Sequence, residues 1–65
     1  MDWLNRLVVE HDELTVKIDK LENFLADPEN KKVTGPKQWK LLNQQWLAMQ
    51  EYGAVLYQRI EAAAP

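Results

Sequence analysis

The chain has 65 residues, a net charge of −2, one histidine and no cysteine. A domain of this size buries only about 60% of the surface its unfolded chain exposes, and neither a disulfide nor a zinc site of the Cys/His kind is available to compensate, which leaves self-association. Acids and bases interspersed without a basic tract exclude a general electrostatic grip on a nucleic acid polymer, and apolar runs of a few residues exclude a membrane span of about 20.

Residues 2–26 contain neither glycine nor proline, and Leu4, Leu7, His11, Leu14, Ile18, Leu21 and Leu25 recur at alternating steps of three and four. That spacing is the seam of a coiled coil and predicts one long helix over about 2–26. Asp2 occupies an N-cap or first-turn position, and Arg6 with Glu10, and Glu13 with Lys17, stand at i,i+4 spacing. The opening MDWLNR carries no signal-peptide pattern, so a soluble protein of the cytoplasm is expected.

The following ADPENKKVTGP holds both turn-forming polar residues and three helix breakers, Pro28, Gly35 and Pro36. It predicts a loop over about 27–35, with Gly35 as N-cap, Pro36 at the first helical position and Gln38 placed to reach back in a capping box. A second helix is then predicted over about 36–63, because Trp39, Leu42, Trp46, Met49, Gly53, Leu56, Ile60 and Ala63 repeat the three-four alternation. Gly53 is its one irregularity, costing about 1 kcal/mol of helix propensity relative to alanine.

The predicted fold is therefore all-α: a single domain over 1–65, an antiparallel two-helix hairpin with coiled-coil-like packing. Matching the ends pairs Leu25 with Trp39, Leu21 with Leu42, Ile18 with Trp46, Leu14 with Met49, His11 with Gly53, Leu7 with Leu56 and Leu4 with Ile60. In that register the absent side chain at Gly53 makes room for the imidazole or lets the backbones approach.

Two seams do not use all the apolar side chains. Trp3, Val8, Val9, Val16 and Phe24 lie off the first, and Leu41, Leu47, Ala48, Tyr52, Ala54, Val55 and Tyr57 off the second. Val9 and Val16 are a heptad apart opposite the seam, and Leu47, Ala54 and Tyr57 share a flank, so these five are the expected oligomer interface. Hairpins assembling into a homo-oligomeric helical bundle, at least a dimer, are the expectation.

Catalytic constellations are lacking. A lone His11 has no cysteine and no obvious serine or threonine nucleophile nearby, and the adjacent helix positions Glu10 and Asp12 face different ways from it, so no enzyme activity, metal or cofactor is expected. His11 itself is open to three readings: a polar seam residue that fixes register, a group lining a ligand pocket or subunit interface, or a pH switch. Near the hairpin's open end, Arg6, Glu10, His11, Tyr52, Tyr57 and Arg59, with Trp3 close by, combine arginines and aromatic rings in the way that suits phosphate binding and base stacking, and equally suits a protein interface. Lys31, Lys32, Lys37 and Lys40 around the loop form a second candidate anion site.

The order of residues adds a resemblance. Arg6-Leu7-Val8-Val9-Glu10, Glu13-Leu14 and Ile18-Asp19-Lys20-Leu21-Glu22-Asn23-Phe24-Leu25 resemble the first helix of a family of very small phage and prophage proteins. Leu41-Leu42-Asn43-Gln44-Gln45, Ala48-Met49-Gln50-Glu51-Tyr52, Leu56 and Arg59-Ile60 resemble its second. That family is similar to the helical-hairpin domain of phage anti-CBASS and anti-Thoeris sponge proteins. The resemblance implies a counter-defence protein in the cytoplasm of the infected host that oligomerises and sequesters a cyclic nucleotide or cyclic ADP-ribose-type signal without cleaving it. The competing expectation is an oligomeric module whose spare apolar faces dock onto a host or phage protein and which takes no small molecule.

Overall fold

A computed structural model describes residues 2–63, and these are all-helical in three segments: α1 (Asp2–Ala26), α2 (Glu29–Thr34) and α3 (Pro36–Ala63). The molecule is a rod of 48 × 15 × 14 Å. No helix among the described residues is long and apolar enough to cross a membrane.

Alternation at three and four residues does what its period requires. Every seam position of α1 and α3 is buried or half-buried, whereas of the described apolar residues off the seams only Phe24 is withdrawn from solvent. Leu7, Leu14 and Leu56 are the fully enclosed core, with Ile18, Met49 and Ile60 packed on them. Leu56, at 0% exposure, is its centre.

Contacts between α1 and α3 run in opposite senses along the two helices. The rings of Phe24 and Trp39 meet at 6.3 Å, a β-carbon on Gly53 would lie 3.6 Å from side-chain atoms of Leu14 and Ile18, and the rings of His11 and Tyr57 meet at 6.0 Å. This is not the register obtained by matching ends. Gly53 faces the layer of Leu14 and Ile18, with no atom of His11 within 4 Å of the β-carbon position, so the glycine does not make room for the imidazole. The displacement is about one helical turn.

Its cause is the connection. Where a loop over 27–35 is expected, ENKKVT forms α2, which packs on both long helices. Asp27 starts it by accepting the Glu29 amide on Oδ1 at 3.0 Å, and Asn30 Nδ2 donates to the Phe24 carbonyl at 2.8 Å, satisfying an acceptor at the open end of α1. Matching ends assumes that the connection adds no height; a helix inserted there carries the start of α3 past the end of α1.

Gly35 closes α2 and opens α3. Its amide donates to the Lys31 carbonyl at 2.8 Å and its carbonyl accepts from the Trp39 amide at 3.0 Å, at φ 84° and ψ 161°. Side-chain-bearing residues reach that region only at a cost of about 1–3 kcal/mol. Nothing lies within 4 Å of a β-carbon there, so Gly35→Ala is expected to lose that amount through backbone strain alone, measured as a lowered thermal midpoint. The Gln38 side chain makes no hydrogen bond among the described residues, so the anticipated capping box does not form; nor do Arg6 with Glu10 or Glu13 with Lys17 close to ion-pair distance.

Gly53 predicts the opposite sign. It lies inside α3 and the contacts a methyl group would make, 3.6 Å to Ile18 Cδ1 and Leu14 Cδ2, are ordinary van der Waals distances. Gly53→Ala therefore recovers about 1 kcal/mol of helix propensity without a clash, and the thermal midpoint is expected to rise by roughly 4–8 °C.

Candidate functional site

A seam divides each helix into two flanks. Residues just after Leu7, Leu14, Leu21, Leu42, Met49 and Leu56 fall on one, and residues just before His11, Ile18, Trp46, Gly53 and Ile60 on the other. In helices running in opposite senses, like flanks lie side by side, as Glu22 and Asn43 do where they line one groove.

This geometry separates the residues picked out at the open end. His11 and Tyr57 come together on the first flank, their rings tilted by 42°. Tyr52 and Arg59 on α3, and Glu10 with Arg6 on α1, belong to the opposite flank by helical period. Arg6, Glu10, Tyr52 and Arg59 are all exposed, and among the described residues none of the four takes part in an ion pair or a hydrogen bond through its side chain. Trp3, half exposed, is on their side.

His11 is half-buried. Its Nδ1 lies 3.8 Å from Asp12 Oδ1, too far for a hydrogen bond, and its backbone carbonyl accepts from Thr15 Oγ1 at 2.9 Å. Among the described residues its ring neighbours are thus Tyr57 and, more distantly, the Asp12 carboxylate. Among the described residues no three His, Cys, Asp or Glu side chains are grouped to hold a metal ion.

The four lysines stay around α2 and the start of α3, all exposed. Lys32 Nζ is engaged by Glu29, 3.3 Å from Oε2, while Lys31, Lys37 and Lys40 are in no ion pair among the described residues. The residues expected at the oligomer interface are exposed as well: Val9, Val16, Leu47, Ala54 and Tyr57. Val9 and Val16 are set among Asp12, Glu13 and Lys20 on the outer side of α1, whereas Leu47, Ala54 and Tyr57 adjoin the His11 flank of α3.

A groove that the sequence did not single out lies on that same flank, nearer α2. It has a volume of about 240 Å³ and is lined by Glu22, Leu25, Ala26, Asn43 and Trp46. Trp46 Nε1 is shut off from solvent with no hydrogen-bond partner among the described residues, an unusual state for a donor of its strength. Asn43 does not serve it, since its amide turns back to donate to the Trp39 carbonyl at 2.9 Å. The sequence signal was a tryptophan at a seam position, a residue whose N–H must be accommodated wherever its ring is buried.

Comparison with known proteins gives one finding. The family model described as Sequestin matches residues 1–62, nearly the whole chain, so the match spans both long helices and the connection between them. Neither the curated proteins nor the solved structures contain a match. The chain belongs to the Sequestin family.

Proposed function

We propose that this protein binds a small cyclic nucleotide or cyclic ADP-ribose-type immune signal and sequesters it uncleaved, as a phage counter-defence protein in the host cytoplasm. Membership in a family named for sequestration is the observation that carries the reading. Binding without turnover also suits a chain whose one histidine has a tyrosine ring for a neighbour and whose basic side chains are held out in solvent, where guanidinium and ammonium groups meet phosphates.

Self-association belongs to the same proposal. A groove of about 240 Å³ on one chain is below the roughly 300–1,000 Å³ in which small ligands are usually enclosed. Assembly of two-helix units against the other flank, the one that carries Arg6, Glu10, Tyr52 and Arg59, encloses a larger space between chains, lined by basic and aromatic side chains from more than one copy. Arg6, Glu10, Tyr52 and Arg59 form the binding group we favour, with His11 and Tyr57 as a separate group across the rod and Lys31, Lys32, Lys37 and Lys40 as an anion site at its end.

The test is a panel of cyclic dinucleotides, cyclic trinucleotides and cyclic ADP-ribose isomers. A matching compound raises the thermal midpoint in proportion to the logarithm of its concentration and is recovered unchanged after denaturation. If no compound shifts the midpoint and none is retained, the proposal is wrong. The exposed apolar residues of α3 would then speak for a docking module, tested by recovery of a stoichiometric protein partner.

A further inference from the structure

The groove at Trp46 is a second place where polar groups converge, and it has no part in the group of Arg6, Glu10, Tyr52 and Arg59, which belongs to the other flank. Leu25 and Ala26 give it apolar lining, and no basic side chain is among its lining residues. Its polar groups are the Glu22 carboxylate, the Asn43 amide and the Trp46 indole N–H. Glu22 is exposed, takes part in no ion pair or side-chain hydrogen bond among the described residues, and as a carboxylate only accepts. Asn43 turns its Nδ2 back to the Trp39 carbonyl, which leaves Oδ1, an acceptor, as the atom free of its own helix. Trp46 Nε1 only donates. Nothing in the fold takes that hydrogen, for the atom is closed to solvent and has no acceptor among the described residues. A buried donor left unmade is a costly state, so a ligand that brings an acceptor to it gains by doing so.

The groove thus offers one donor and two acceptors. Its complement carries one acceptor beside two donors, fits a space of about 240 Å³ as a single ring system, and is uncharged, since a carboxylate at the groove rejects a phosphate. Among nucleobase edges guanine has that pattern, the O6 acceptor followed by the ring N–H and the exocyclic amino group, whereas adenine, cytosine and uracil each present a single donor group. We infer that the groove is a recognition site for an uncharged guanine ring, with Trp46 Nε1 donating to its carbonyl oxygen and Asn43 Oδ1 and the Glu22 carboxylate accepting from the N–H groups beside it. Because Nε1 is closed off in the free chain, the Trp46 ring shifts toward the groove it lines as the ligand enters, and binding and a change at that indole are one event. The inference goes beyond the sequestration proposed above and does not rest on it, since Arg6 and Arg59 take no part.

The test is a titration of the full chain with guanosine, inosine and adenosine, none of which carries a phosphate, followed through the indole N–H signals of Trp3, Trp39 and Trp46 in nitrogen–proton NMR spectra. Guanosine is expected to move the Trp46 signal saturably and to leave that of Trp3 in place. Inosine, which keeps the carbonyl oxygen and ring N–H and lacks the amino group, is expected to bind at least about 10-fold more weakly, and adenosine more weakly still. Glu22→Gln is expected to lose at least about 10-fold for guanosine with helicity unchanged, because Glu22 is exposed and unpaired among the described residues. The variant lacking Arg6 and Arg59 is expected to bind guanosine as the wild type does. The inference is overturned by the absence of a saturable change at Trp46 up to the solubility of guanosine, or by an equal response to all three nucleosides, which is stacking without reading of the edge. It is overturned equally by a Glu22→Gln variant that binds guanosine unchanged, or by loss of guanosine binding with the arginines. A panel of cyclic signals that gives no binding leaves each of these outcomes as it stands, so the two failures are distinguishable.

Discussion

Leu56→Ala is expected to abolish most of the chain's stability. Among the described residues Leu56 is the one side chain with no exposure at all, and it is packed with Leu7 and Leu14. Truncating such a leucine costs about 2–5 kcal/mol, the transfer of the removed atoms plus the cavity they leave. A single core in a domain below about 70 residues rarely supplies more than about 3–5 kcal/mol in total. The two figures are of equal size, so the helical signal at physiological temperature is expected to fall to that of a largely unfolded chain. Leu47→Ala is the control, since Leu47 is 56% exposed and surface truncations stay within about 0.5 kcal/mol. A thermal midpoint for Leu56→Ala within a few degrees of the wild type would show that the core is not where the packing places it.

The second large effect is on binding. Removing Arg6 and Arg59 together is expected to lower affinity for the matching cyclic signal by roughly 10²- to 10⁴-fold, because a hydrogen bond to a charged group is worth about 1.5–3 kcal/mol and two guanidinium groups are lost. Helicity should be unchanged, as both side chains are exposed and unpaired among the described residues. Isothermal titration of the double variant checks the size of the loss. The lysines give the comparison: if Lys37→Ala with Lys40→Ala costs as much and the arginine variant nothing, the ligand sits at the α2 end of the rod.

The course of each helix is legible in the sequence because period and burial are the same information. Leu4 to Leu25 and Trp39 to Ala63, taken at steps of three and four, are the positions the structure withdraws from solvent. Register is not legible in the same way. A heptad seam repeats itself, so sliding one helix by a turn leaves apolar side chains opposite apolar side chains, and only the connection chooses. That choice is made by α2, and ENKKVT is too short to show a period; its signals are the Asp27 carboxylate at one end and the positive φ of Gly35 at the other. The pairing of His11 with Gly53 fell with the register, and the contact of His11 with Tyr57 replaced it.

The site was less legible than the fold for a related reason. Arg6, Glu10, His11, Tyr52, Tyr57 and Arg59 are near one another along the rod, but nearness along an axis says nothing of direction around it. Counting from the seams sends His11 with Tyr57 one way and the arginines the other. The groove at Trp46 depends on Glu22 and Asn43 arriving at the same level, which follows from the register and so was beyond what the pattern contains.

Sequestration is tested most directly by native mass spectrometry of the protein purified from cells that make cyclic nucleotide and cyclic ADP-ribose signals. The predicted spectrum is an assembly of two or more chains carrying an intact signal molecule at a fixed ratio to chains, the signal being lost in the variant lacking Arg6 and Arg59. An assembly that emerges from such cells with no small molecule, or with only a cleaved one, would contradict it.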